Sequence, residues 1–209
     1  QACLAAVNLS DRAHSVVGDL SGGMQRRLSL AASIIHQPKL VVLDEPSTGL
    51  DIEARYEVWE LIRSLKQQGV TVLLTTHLLD EVERLCDRIG IIKQGQLLAE
   101  GTLETLRGLI PAHEIVIIDT KDEGGAIARA QSHGFTPRRY GSDLAFWVPE
   151  CLDLPALLNR FSGLPIDSIS RHAIGLEHIY LEVTQSKQPS ALTLQSEEPW
   201  IEGNTALAA

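Results

Sequence analysis

Apolar positions in the first half of the chain follow two rhythms in alternation. Residues 22–36 carry Leu28, Ala31, Ala32 and Ile35 at helical spacing and stop before Pro38, which predicts a helix with one buried face. "KLVVLD" is a short, unbroken apolar run, the pattern of a strand covered on both faces. Asp51 then stands where a helix cap is expected, with Ala54, Val58, Leu61, Ile62 and Leu65 on one stripe and Gly69 closing the segment. "VTVLLTT" repeats the buried-strand pattern, residues 78–86 read as a short helix, and "RIGIIKQGQLLAEGT" reads as a hairpin turning at Gln94 and Gly95. Strand–helix–strand order with buried strands predicts a parallel sheet joined by right-handed crossovers.

The rhythm changes after Pro111. "EIVIID" predicts a strand and 123–133 a helix; strand patterns follow at 135–140 and at "LAFWVP". Residues 153–162 read as a helix, "IDSISRHAI" as a strand and "GLEHIYLEVT" as a closing helix. The order β-α-β-β-α-β-α predicts a small ferredoxin-like α+β unit. From about Gln185 the chain turns polar, rich in Pro and Ser and aperiodic, which predicts a disordered tail. The expected organisation is therefore a first domain over 1–110, a second over 111–184 and a tail over 185–209.

Composition narrows the options. Apolar residues make up 44% of the 209, so a core can form, and aromatics only 4%, so that core is aliphatic. A formal net charge of -9 argues against a nucleic-acid partner, which would favour a basic surface. The three cysteines, Cys3, Cys86 and Cys151, are scattered without metal-ligand spacing and read as free thiols. No apolar run approaches the ~18–20 residues of a membrane span. The chain opens on Gln1 rather than methionine, and its first twenty residues look like the middle of something; a fragment lacking its N-terminal part is expected.

Several residues could carry chemistry. In "LSGGM", Ser21 precedes two glycines at a helix start, where unpaired N–H groups and the positive end of the dipole favour a phosphate and glycines let it approach. A serine-capped helix after a flexible turn would look the same. In "LVVLDEP", Asp44 ends a strand and Glu45 follows at the carboxyl edge, where ligands bind in open α/β sheets. Asp44 could serve Mg²⁺, and Glu45 could accept a proton from a water attacking a γ-phosphate. "STGLD" is turn chemistry ending in a cap. His77, after "LLTT", could donate to a phosphoryl oxygen or be an ordinary strand-end polar group.

Taken in order, these stretches resemble the second half of an ATP-binding cassette ATPase. "LSGGM" resembles the signature, with Met24 where glutamine is commonest, "LVVLDE" the Walker B strand, "STGLD" the D-loop, "TTH" the switch histidine, and "LCDRIGIIKQGQLLAEGT" the closing hairpin. The resemblance implies a P-loop NTPase-like parallel sheet, partial here, followed by the α+β unit. It implies that Ser21, Gly22 and Gly23 meet the γ-phosphate of ATP held by an opposite subunit and that Asp44 serves the Mg²⁺ shell. It further implies Glu45 as catalytic base, His77 as γ-phosphate sensor, and Asp51 as a link between sites. "GLEHIYLEVT" resembles the terminal helix of ATPase subunits that pair with separate export permeases, drug-efflux and nodulation-factor exporters among them.

The resemblance thus implies an ATPase subunit in a head-to-tail dimer with an identical copy, docked on an integral-membrane permease at the cytoplasmic face and binding no nucleic acid. Two alternatives stay open: a soluble cassette ATPase unrelated to transport, and a non-catalytic regulatory module. No GxxxxGK(S/T) loop occurs in the sequence. The 209 residues alone are therefore expected to bind ATP weakly and not to turn it over.

Overall fold

A computed structural model describes residues 2–185 and the backbone of 206–208. The tail expected from 185 onward otherwise lies outside the described residues. The described residues form two compact units, one over residues 2–103 with 206–208 and one over 104–185.

In the first unit, α1 (Ala2–Ala6) and two short 3₁₀ turns lead to α2 (Gly22–Ile34), β1 (Leu40–Asp44), α3 (Ile52–Gln67) and β2 (Thr71–Thr75). Then come α4 (Leu79–Leu85), β3 (Arg88–Lys93), β4 (Gln96–Gly101) and the start of α5 (Leu103–Arg107). β1 and β2 pair in parallel from Leu40↔Thr71 to Asp44↔Thr75. A further parallel strand, β9 (Ala206–Ala208), stands between β2 and β3, and β4 returns antiparallel to β3. Gln94 and Gly95, both at positive φ, make the tight turn at the predicted place.

The core is aliphatic around one tryptophan. Val41 and Leu43 of β1 and Val72 and Leu74 of β2 meet Leu30 and Ala31 of α2 and Val58, Trp59, Ile62 and Leu65 of α3. The stripe expected on α3 is buried residue for residue, with Trp59 added. Trp59 Nε1 donates to Glu81 Oε1 at 2.9 Å, so the one fully buried carboxylate of α4 has its partner in α3.

Two expectations fail here. α2 ends at Ile34, and its buried residues are Arg27, Leu30 and Ala31; Ala32 and Ile35 are exposed. The buried stripe is shifted because Arg27, whose Nη1 donates to Val7 O, occupies the inner face. β1 is not covered on both sides. Val41 and Leu43 are buried, but Leu40 is 54% and Val42 61% exposed, since the helices of this unit pack on one face of the strand.

The second unit holds β5 (Glu114–Thr120), α6 (Glu123–Ser132), β6 (Thr136–Tyr140) and β7 (Asp143–Val148). α7 (Leu154–Arg160), β8 (Ile166–His172) and α8 (Leu176–Gln185) complete it. Its sheet runs β6-β7-β5-β8 with every neighbour antiparallel, the ferredoxin-like order. Val116, Ile118, Leu144, Phe146 and Val148 pack with Ala126, Ala130 and Leu157 of the two helices on one side. α8 buries Leu176, Ile179 and Val183, and its Glu182 takes Arg138 Nε at 3.0 Å from β6.

Candidate functional site

The site forms where β1 and β2 end side by side. Their register puts Asp44 opposite Thr75, so the residues that follow each strand leave the sheet at one edge. Thr75 holds both acidic residues: its hydroxyl donates to Asp44 Oδ1, and its carbonyl accepts from Glu45 N at 2.9 Å. The chain then turns sharply. Glu45 has φ 47°, a left-handed conformation that costs a non-glycine residue on the order of 1–2 kcal/mol. This turn is what lets two consecutive side chains face one edge rather than alternate.

Glu45 is clasped on both carboxylate oxygens. Thr48 Oγ1 donates to Oε2 at 2.5 Å, and His77 Nδ1 lies 2.8 Å from Oε1. The Thr48 hydrogen bond is the largest influence and holds this carboxyl below the usual carboxylate range; burial opposes it next, and the hydrogen bond and charge of His77 add to the lowering. Glu45 is therefore an ionised acceptor at neutral pH, and His77 Nδ1 must be the donor in their contact. A neutral imidazole has one donor nitrogen. His77 can accordingly serve Glu45 or a phosphate, but not both, unless the ring takes a second proton.

The other predicted residues sit on helix starts. Ser21 is exposed and caps α2, its Oγ accepting from Met24 N at 3.3 Å. Asp51 caps α3, its Oδ1 accepting from Ala54 N at 2.8 Å. The two glycines behind Ser21 differ. A Cβ at Gly22 would meet nothing within 4 Å, whereas one at Gly23 would come 3.0 Å from Ala54 Cβ. Gly23 is thus explained by close contact of the α2 and α3 starts; Gly22 has no such internal reason and stands open.

Asp44, Glu45 and His77 are therefore brought together directly, and Gly23 sets the start of α2 against that of α3. Three further residues were not read from the sequence: Thr75, Thr48 and Arg26. Thr75 is the first threonine of "TTH" and Thr48 lies three residues beyond Glu45, so spacing could have flagged both. Arg26 reaches from α2 to the carbonyls of Asp44, Glu45 and Pro46, a contact across 18 to 20 residues that no local pattern announces.

As a metal site the edge is sparse. Among the described residues no group of three or more His, Cys, Asp or Glu stands close enough to hold an ion. Asp44, exposed at the strand end, is a single carboxylate donor. One carboxylate could supply a single oxygen ligand to a hard cation such as Mg²⁺, the rest of whose shell comes from phosphates and water.

Known proteins match the chain in the same region. Residues 10–82 match the family described as AAA domain, putative AbiEii toxin, Type IV TA system. The Nod factor export ATP-binding protein I of Neorhizobium galegae is 51% identical over 178 residues, 84% of this chain and 50% of that protein. Its namesake in Burkholderia orbicola (strain AU 1054) is 36% identical over 176 residues, again 84% of this chain and 57% of the other. The chain thus spans about half the length of these curated relatives. A solved nucleotide-free ATP-binding cassette from an ABC transporter is 29% identical, with a TM-score of 0.46 over 48% of this chain and 40% of that one.

Proposed function

We propose that this chain, 36–51% identical over 84% of its length to Nod factor export ATP-binding proteins, is an ATP-binding cassette ATPase that supplies the hydrolytic edge and the signature face of an exporter's ATPase subunit. The observation that carries the proposal is the cluster at the sheet edge: an ionised Glu45 between Thr48 and His77, one residue from Asp44. In this reading Glu45 takes the proton of the water that attacks the γ-phosphate. Asp44 serves Mg²⁺, which when bound would neutralise phosphate charge. His77 turns from Glu45 to the γ-phosphate once nucleotide arrives, freeing a carboxylate oxygen for the water.

Ser21, Gly22 and Gly23 serve another nucleotide. The exposed Ser21 and the open space beside Gly22 form a helix start aimed away from the core. That fits a head-to-tail pair in which each helix start closes on ATP held by the partner, with Asp51 near the junction. The two polar sites lie close in sequence yet serve separate ATP molecules. The glycine-rich loop with lysine that would hold the rest of each nucleotide is not among these residues.

The partners in this reading are a second, identical ATPase subunit and a separate integral-membrane permease, with the ATPase peripheral on the cytoplasmic face of the membrane. No helix among the described residues is long and apolar enough to cross a membrane. The acidic balance, net charge -9, gives no electrostatic basis for nucleic-acid binding.

The test is Glu45→Gln in the complete gene product. Loss of a general base costs ~10²–10⁴ in rate. ATP binding should persist, turnover should fall by that factor, and an ATP-bound dimer should accumulate on size exclusion. Wild-type turnover would remove Glu45 from the role.

A further inference from the structure

Resting on the reading of Glu45 as base, we propose that Arg26 is the positioning residue for that base, a guanidinium clasp through which the signature helix sets the hydrolytic turn. Arg26 lies on α2 five residues after Ser21. Its Nε donates to Pro46 O at 2.9 Å, and its Nη2 donates to Asp44 O at 2.6 Å and to Glu45 O at 2.5 Å. One side chain thus collects three consecutive carbonyls. No strand presents three successive carbonyls to one side, since they alternate. They converge here because Glu45 sits at φ 47°. The clasp and the left-handed turn are two views of one arrangement: the turn gathers the acceptors, and the cation makes the gathered dipoles favourable.

Arginine is specifically suited to this place. A planar fork can address separate acceptors at fixed angles, whereas a lysine ammonium is a single point on a shorter reach. Neighbouring residues keep the helix itself in place by other contacts. Gln25 Nε2 donates to Val17 O and Leu20 O, and Arg27 donates to Val7 O and pairs with Glu57 at 3.2 Å. α2 is therefore anchored without Arg26, whose three bonds all go to the hydrolytic turn.

The placement also has a directional consequence. Ser21 caps the helix that carries Arg26, the two about 7.5 Å apart along its axis at 1.5 Å per residue. Ser21 faces the partner's nucleotide in the proposed dimer, and Arg26 grips the turn that carries this subunit's own base. Capture of ATP at one site would thus be felt at the base of the other.

The experiment uses the complete gene product with Arg26→Lys, Arg26→Ala and, in parallel, Glu45→Gln. Misplacement of a catalytic group by about 1 Å can cost ~10²-fold. Arg26→Lys is expected to lower kcat roughly 10- to 100-fold while KM for ATP moves less than about threefold, because the phosphate contacts are untouched. The Hill coefficient for ATP should fall toward one. Added guanidinium should restore part of the kcat of Arg26→Ala, a rescue that general destabilisation would not show. Wild-type kcat in a folded Arg26→Lys protein, or loss in Arg26→Ala that tracks melting temperature with no rescue, overturns the clasp. Full turnover in Glu45→Gln overturns the underlying reading instead, and the clasp with it.

Discussion

Glu45 illustrates how little a sequence says about the state of a single side chain. Its acidic neighbour and position after a strand were visible in "LVVLDE"; its left-handed backbone and its two hydrogen-bond partners were not. Thr48 is the first cause of its lowered pKa, with His77 behind it. A carboxyl held below its ordinary range remains ionised down to that lower value, so activity that needs the anion is lost only as pH falls through it. Thr48→Val removes the larger influence. The acid limb of kcat/KM, which reports the free enzyme, should then move to higher pH, toward the ordinary carboxylate value. A pH–rate profile checks this, and an unmoved limb would mean that Thr48 does not tune the base. Cys86 shows the opposite influence, with burial pushing its thiol up to about 12, and it remains an inert core group.

At the level of elements, the legible parts were those with a strong period or a cap. The α3 stripe and the Asp51 cap were clear because buried spacing and capping chemistry are local. The strand β1 was misjudged for the converse reason: an apolar run records what a strand can bury, and which neighbours lie over it is a matter of tertiary contact. The start of α2 allows a discriminating substitution pair. Ala in place of Gly within a helix gains about 0.5–1 kcal/mol, less at the first turn. Gly22→Ala meets open space, so it should leave the melting temperature unchanged or slightly raised while reducing ATP-driven dimerisation. Gly23→Ala meets Ala54 Cβ at 3.0 Å, so it should lose that gain and lower the melting temperature relative to Gly22→Ala. Calorimetry and size exclusion on both variants decide it; undiminished ATP-driven dimerisation in Gly22→Ala would deny Gly22 a ligand-facing role.

At the scale of the molecule, the sequence pattern anticipated a parallel α/β unit and an antiparallel α+β unit, and the sheet orders agree with both. That agreement has a physical source: a crossover of helix length implies parallel pairing, and a β-α-β-β-α-β order leaves one common compact solution. The contacts that assemble the cluster at the sheet edge were less legible, since Thr75, His77 and Arg26 reach Asp44 and Glu45 from 18 to 32 residues away. The central claim is that Glu45 and Ser21 of one chain serve different ATP molecules. Mixed dimers of the complete gene product test it most directly. Glu45→Gln in one subunit paired with Ser21→Arg in the other should leave one intact site and measurable single-turnover hydrolysis. Both substitutions in one subunit, paired with a wild-type partner, should leave none. The reverse pattern, activity in the second pairing and silence in the first, would place both residues at the same nucleotide and contradict the account.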